Sequence, residues 1–392
     1  MHKNSFSGPK KLLLFAITSL IVCRVSMVLL FAADIIHLDY HSGWAFLYGG
    51  DYMRYFTVAH ELSHFSIPVH GGYSIGYSLF LIPFIWIYHA ASWEQIILPV
   101  AVFQSLILGS ISIYLCAMIA SRLSENLFVA ILAAALWCFL PMGAYLFFIV
   151  CKSTLLLQSI NVPSLLWIRM YSEPVNTICL MTAVYLLTSH FNKAALRKIV
   201  AFTAGMAFLV REDGIVFIVI LFGYLLYKYF IKEIKFKTLF SLGCIITLVY
   251  LPQFYFNFKN TGNPLIPNHY PHAVLFGKEY GFVMWSFGNV LFLFNYIVSN
   301  WLFLTVFSLC LAVYIVLPII NKRNQEVLFV LYAIIFGYCA FYSFYGPTRT
   351  DIIRFVMPTY FALAITGASA IHTIWHFVSG KIANRVLYNT HQ

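Results

Sequence analysis

Between Gly281 and Pro318 the chain carries no charged residue, a run far longer than the ~20 residues one straight helical crossing of a bilayer needs. Predominantly apolar stretches also run from Leu12 to Phe31 and from Leu127 to Trp167, and over 392 residues the chain is 61% hydrophobic and only 9% charged. A soluble chain is rarely so apolar, so lipid is the expected solvent. The runs are continuous instead of alternating, which argues against a transmembrane β-barrel. The expected fold is an all-α polytopic membrane protein of about ten to thirteen membrane helices with outer interfacial helices. The expected organisation is a single domain over 1–392 with no separate soluble domain.

A formal net charge of +11 raises the question of nucleic acid, but the positions of the cations answer against it. Lys10, Lys11, Lys193, Arg197, Lys198, Lys228, Lys232, Lys235, Lys237, Lys322, Arg323, Lys381 and Arg385 all fall at ends of apolar segments that one topology places in the cytoplasm. The expected partners are membrane lipids and no nucleic acid. The eight cysteines are scattered, chiefly within apolar runs, and show neither zinc spacing nor a disulfide framework.

The basic N-terminus puts residue 33 on the non-cytoplasmic side, and residues 33–72 form a first outer loop holding Asp34, Asp39, Asp51 and Arg54. Leu127 to Trp167 is interrupted by Pro141, Gly143, Lys152 and Pro163, which suggests two short or kinked helices. Arg169 and Glu173 then fall outside. The short run Ile199 to Val210 rises to Arg211, Glu212 and Asp213, which suits a water-filled recess. A rise from Leu239 to Leu251 leads into a second long outer loop over 252–284, with Lys259 and His269. Arg349 and Arg354 follow an outer Gly346-Pro347 break, and a last crossing ends near Phe377. Only Glu94, Glu233 and Glu326 among the acids fall inside.

Carboxylates, cations and aromatics are thus gathered at one face. A carboxylate beside a hydroxyl suits general-base work, and arginine offers a rigid donor fork for phosphate. Bland readings stand beside these. Asp51 also suits a helix cap, Asp34 a cap at the end of the first crossing, Glu173 a helix start, and Arg211 an internal salt bridge with Glu212 and Asp213. Asp39 sits in a local turn and reads as structural.

Gly50-Asp51-Tyr52-Met53-Arg54-Tyr55, Ala59, and then Gly71-Gly72-Tyr73-Ser74-Ile75-Gly76-Tyr77-Ser78-Leu79-Phe80-Leu81 resemble the start of the GT-C superfamily of integral-membrane glycosyltransferases. Ser78 stands where that family has proline. The resemblance continues at Met170 to Pro174, Val210 to Gly214 and Arg354 to Pro358. It implies a polyprenyl-phosphate-linked sugar donor, a glycan or glycolipid acceptor of the cell envelope, and a site on the periplasmic or extracellular side of a bacterial inner membrane. It further implies Asp51 as the base, with Asp34 as rival, and Glu173 orienting the acceptor or assisting a metal. Donor phosphate or substrate would fall to Arg54, Arg169, Arg211, Lys259, His269, Arg349 and Arg354. Direct attack at the anomeric carbon implies inversion. Cofactor use stays open; some relatives use a divalent cation such as Mg2+ or Mn2+. The competing expectation is a transporter or flippase for a lipid-linked or anionic substrate, with its charges near mid-membrane on discontinuous helices.

Overall fold

The structure, a computed structural model, describes residues 7–32, 50–68, 73–150, 167, 170–188, 194–266, 281–282, 322–342, 345–346 and 356–389. Among these the fold is helical apart from one antiparallel pair of two-residue strands, β1 (Gly281–Phe282) and β2 (Tyr345–Gly346). The helices are α1 (Ser7–Ala32), α2 (Gly50–Ser63), α3 (Ile75–Tyr88), α4 (Glu94–Val102), α5 (Gly109–Ser124), α6 (Leu127–Val150), α7 (Glu173–Thr188), α8 (Ala194–Val210), α9 (Ile215–Phe230), α10 (Phe236–Thr261), α11 (Lys322–Tyr342) and α12 (Met357–Asn389). Three described segments, Glu94–Ser124, Glu212–Phe230 and Phe236–Thr261, are long and apolar enough to cross a membrane, and shorter apolar helices accompany them. The protein is a multi-pass α-helical membrane protein, as its composition leads one to expect.

Burial follows helical spacing. In α2 the residues Tyr52, Tyr55, Phe56 and Ala59 are buried while Met53 is exposed, so one face of a short helix docks against α3. Helix α8 packs between α7 and α10, α5 on α6 and α7, and α12 on α6 and α11. Close approach of α3 to the end of α8 requires Gly76, because a Cβ there would fall 2.6 Å from the Val210 nitrogen and collide with the Leu209 carbonyl. A π-helical turn, Phe103–Leu108, joins α4 to α5, with the Gly109 N–H reaching back to the Gln104 carbonyl.

Three boundaries differ from the sequence expectation. Helix α6 runs through Pro141 and Gly143 and ends at Val150, so neither of these two residues ends it, while Lys152 and Pro163 lie outside the described residues. Helix α10 runs through Pro252 to Thr261, taking the first part of the stretch 252–284 expected as a loop. The polar residues there are helix-spaced: Gln253 donates to Asn257 Oδ1 at 2.7 Å, and Asn260 donates to the Phe256 carbonyl at 3.0 Å and to the Pro68 carbonyl at 3.3 Å. Helix α12 continues past Lys381 and Arg385, beyond the expected end near Phe377. In each case a residue that breaks helices in water, or a charge, was read as a boundary although the flanking residues carry the helix on.

Gly76→Ala is expected to destabilise the protein by about 1–3 kcal/mol through overpacking against a backbone that cannot give way. Thermal unfolding in detergent, followed by size-exclusion recovery, measures it; an unchanged midpoint would show that α3 and α8 can move apart.

Candidate active site

Asp51 lies in the first turn of α2, where the helix N-terminus favours a negative charge, and it is half-buried. The Tyr73 hydroxyl donates to Asp51 Oδ1 at 2.7 Å, and Arg54 Nη1 donates to the same hydroxyl at 3.4 Å with its guanidinium over the Tyr73 ring. Burial first, then the Asp51 charge and hydrogen bond, push the Tyr73 phenol far above its ordinary range. Tyr73 therefore remains a donor at any physiological pH and holds one carboxylate oxygen in place.

The Tyr73 ring packs on Tyr55 at 5.0 Å between centroids, and Tyr55 meets Tyr77 edge-on at 4.8 Å. Tyr55 Oη is hydrogen-bonded to Ser172 Oγ at 3.1 Å, and Ser78 Oγ donates to the Tyr55 carbonyl at 3.1 Å. Gln104, in the π turn, donates to Tyr77 Oη at 2.8 Å and to the Tyr171 carbonyl at 3.0 Å. A tyrosine-lined wall thus leads from Asp51 to the segment just before α7.

Behind the wall is a buried ionic cluster. Arg211 Nη1 donates to Glu173 Oε1 at 2.7 Å and to Ser172 Oγ at 3.2 Å, and its Nε is shared by both oxygens of Asp213 at 3.1 Å. Asp213 also accepts from Tyr342 at 2.5 Å and from Asn176 Nδ2 at 3.4 Å. Glu173 is 1% exposed and Asp213 5%. Burial alone would lower the Arg211 pKa, but the charges of Asp213 and then Glu173 raise it well above its usual value. Arg211 thus stays a cation with two protein carboxylates as partners.

Of the sequence-predicted site residues, Asp51, Arg54, Glu173 and Arg211 are brought together by these contacts. Lys259 is exposed near the end of α10, over the Tyr255 ring. Gln253, earlier on the same helix, accepts from the Ile75 N–H at 2.8 Å, which puts this part of α10 beside the start of α3. Asp34, Arg169, His269, Arg349 and Arg354 lie outside the described residues. The β1–β2 pair sets Gly281 opposite Gly346, so the second polar stretch ends beside the segment leading to Arg349. Among the described residues no three His, Cys, Asp or Glu side chains converge to hold a metal, and Glu173 and Asp213 share Arg211.

Sequence reasoning missed Tyr55, Tyr73 and Ser172 as site-builders, since hydroxyl-bearing side chains among many aromatics carry no distinguishing signal. It also passed over Arg24, a single charge within the apolar run of α1, which is a readable signal.

No protein-family model matches the chain, and no curated protein sequence matches it. Solved structures do. ArnT from Cupriavidus metallidurans, determined bound to undecaprenyl phosphate, superposes with a TM-score of 0.56 at 15% identity over 91% of this chain and 60% of that one. The oligosaccharyltransferase of Archaeoglobus fulgidus in its apo form gives 0.57 at 12% identity over 98% of this chain and 53% of that one. AglB of the same organism, in complex with an inhibitory peptide and a dolichol-phosphate, gives 0.54 at 14% identity over 89% and 50%. The chain therefore has the GT-C-like polytopic membrane fold and spans 50% to 60% of these proteins' lengths.

Arg211→Met strands two buried carboxylates and is expected to destabilise the fold by about 3–5 kcal/mol. Arg211→Met combined with Glu173→Gln and Asp213→Asn should recover most of that loss in thermal unfolding. Equal instability of the single and triple variants would show that the ionic balance is not what the cluster contributes.

Proposed function

We propose that the protein is a glycosyltransferase that moves a sugar from a polyprenyl-phosphate carrier to a cell-envelope glycan or glycolipid, with inversion at the anomeric carbon. The supporting observation is the contrast between its carboxylates. Glu173 and Asp213 are buried and bound by Arg211, whereas Asp51 is half-buried on a short helix and oriented by Tyr73. A general base must meet a hydroxyl arriving from outside, and Asp51 is the one of the three open to it. The fold shared with a structure bound to undecaprenyl phosphate and one bound to a dolichol-phosphate suggests the donor class.

In this reading the Asp51 carboxylate accepts the proton of the acceptor hydroxyl as its oxygen attacks the anomeric carbon. The bond from that carbon to the carrier phosphate breaks, and the phosphate departs with the electron pair. Because it leaves already charged, it requires cations more than an acid. Arg54 is the nearest described one, with Lys259, Arg169, His269, Arg349 and Arg354 proposed alongside it. Arg211 acts as a positioning residue for Glu173 and Asp213, and Glu173 in turn orders the acceptor side through Ser172 and Tyr55. Asp34 remains the rival base. The active face is proposed to be periplasmic or extracellular, in a bacterial inner membrane. The transport alternative gains no support from Arg211, whose bonds to two carboxylates close the charged interior.

The test is transfer by purified parent, Asp51→Asn, Asp34→Asn and Glu173→Gln proteins, using a panel of polyprenyl-phosphate sugars. Asp51→Asn is expected to bind donor but lose transfer by about 10²-fold or more. Normal transfer by a folded Asp51→Asn protein removes it as the base, and selective loss in Asp34→Asn passes the role there.

A further inference from the structure

Helix α2 closes on His60-Glu61-Leu62-Ser63-His64, two histidines four residues apart with a glutamate after the first. On a helix that spacing puts both imidazoles on one face, and H-E-x-x-H is a pattern in which such a pair holds a metal ion. A five-residue pattern also recurs by chance, so geometry decides. The two rings stand 4.6 Å apart between centroids and are tilted by 46°, which is not a face-to-face stack. Metal–nitrogen bonds of ~2.0–2.1 Å to two neighbouring imidazole ligands would set ring centroids roughly 4.5–5 Å apart.

His64 Nδ1 lies 2.9 Å from the His60 carbonyl and 3.2 Å from Ser63 Oγ. A carbonyl only accepts, so Nδ1 carries the proton and Nε2 keeps its lone pair. Metal-bound histidines are held in the same way, with the other ring N–H donated to a carbonyl or carboxylate. His60 is half-buried with its ring 5.6 Å from Phe56, and no described residue hydrogen-bonds either of its ring nitrogens. The end of the helix is pinned around the pair. Ser66 N–H and Oγ both donate to the Glu61 carbonyl, at 3.0 and 2.8 Å, and Trp86 Nε1 of α3 donates to the Ser63 carbonyl at 3.2 Å. Two ligands on a backbone already fixed lose little further freedom when an ion binds. His60 is nine residues past Asp51, ~14 Å along the helix, so the pair is separate from the candidate active site.

We propose that His60 and His64 form a two-imidazole site for a divalent transition-metal ion, which clips the last turn of α2. Imidazole suits Zn2+, Ni2+ and Cu2+, whereas Mg2+ and Ca2+ require oxygen ligands. Water fills the remaining coordination positions, and the half-buried Glu61 adds negative charge within the same turn. The site does not rest on the transfer reading above.

Full-length protein, freed of affinity tag and of metal, is titrated in detergent with Zn2+, Ni2+, Cu2+, Mg2+ and Ca2+ by calorimetry while its thermal midpoint is followed. One equivalent of each transition metal is expected to bind and to raise the midpoint, with no such response to Mg2+ or Ca2+. His60→Asn and His64→Asn should each weaken that binding at least about ten-fold, the lower bound of what losing even an outer-shell partner costs. The double variant should lose it. With one equivalent of Cu2+, pulsed paramagnetic resonance should count two imidazoles in the parent and no such pair in either single variant. Where a variant does not fold, the parent alone suffices: Zn2+ should protect His60 and His64 from diethyl pyrocarbonate, read by peptide mass. Absence of binding in the parent, parent-like binding by the double variant, or labelling of both histidines that ignores Zn2+ overturns the site. An equal response to Mg2+ or Ca2+ overturns the assignment to transition metals.

Discussion

Everything that organises this molecule's charged face depends on one guanidinium. Arg211 follows α8, Glu173 opens α7, Asp213 lies in the turn that opens α9, and Tyr342 ends α11. Four helices that apolar packing alone would leave free to slide or rotate are therefore registered at one level. In lipid this matters more than in water, because the hydrophobic effect does not favour one helix-to-helix depth over another. The cluster is also nearly closed on itself. Its two acids are buried and share Arg211, which makes it a frame better suited to holding groups in position than to exchanging protons with an incoming molecule.

That closure gives meaning to the separation of Asp51. It sits on the amphipathic α2, which packs on α3 and carries Tyr55 to Ser172, so Arg211 is linked to Tyr73 through the Ser172 hydroxyl and the tilted Tyr55 ring. The Tyr73 hydrogen bond thus helps to fix the orientation of the half-buried carboxylate. Orientation by Tyr73 is well matched to a base: a phenol donor that stays neutral directs an oxygen without adding a formal positive charge beside it.

Much of the architecture was readable because lipid leaves few options. Apolar runs become helices and polar turns become their ends, as at Glu173–Thr188 and Ile215–Phe230. The readings that failed share a cause. Pro141 reads as a break or kink and Pro252 as the start of a loop, yet inside a long helix a proline removes one hydrogen bond and the next turn resumes. For the site, Asp51, Arg54, Glu173 and Arg211 stood out because charge is rare here. What the charges bond to was not readable, since the choice of Glu173 and Asp213 as partners of Arg211 depends on how α7, α8 and α9 meet. Ser172 and the tyrosines were hidden for the opposite reason, being ordinary residues made special by neighbours.

The short span Glu212–Phe230 shows how depth is set. Helix α9 is 16 residues long, about 24 Å, which is slightly less than the ~30 Å hydrocarbon thickness. It runs antiparallel to α11 and is tied to it at both ends. Asp213 meets Tyr342 at one, and at the other Lys228 bridges Glu326 at 2.5 Å and Glu233 at 2.8 Å. With polar clamps at both ends of a helix shorter than the bilayer core, neither clamp can reach water fully unless the bilayer thins or the protein forms a recess around it. The Lys228 end is the more open, with Glu233 about half exposed, while the Arg211 end is enclosed by protein. The ion pairs at the Arg211 end are therefore satisfied within the protein, whereas those at the Lys228 end are partly open.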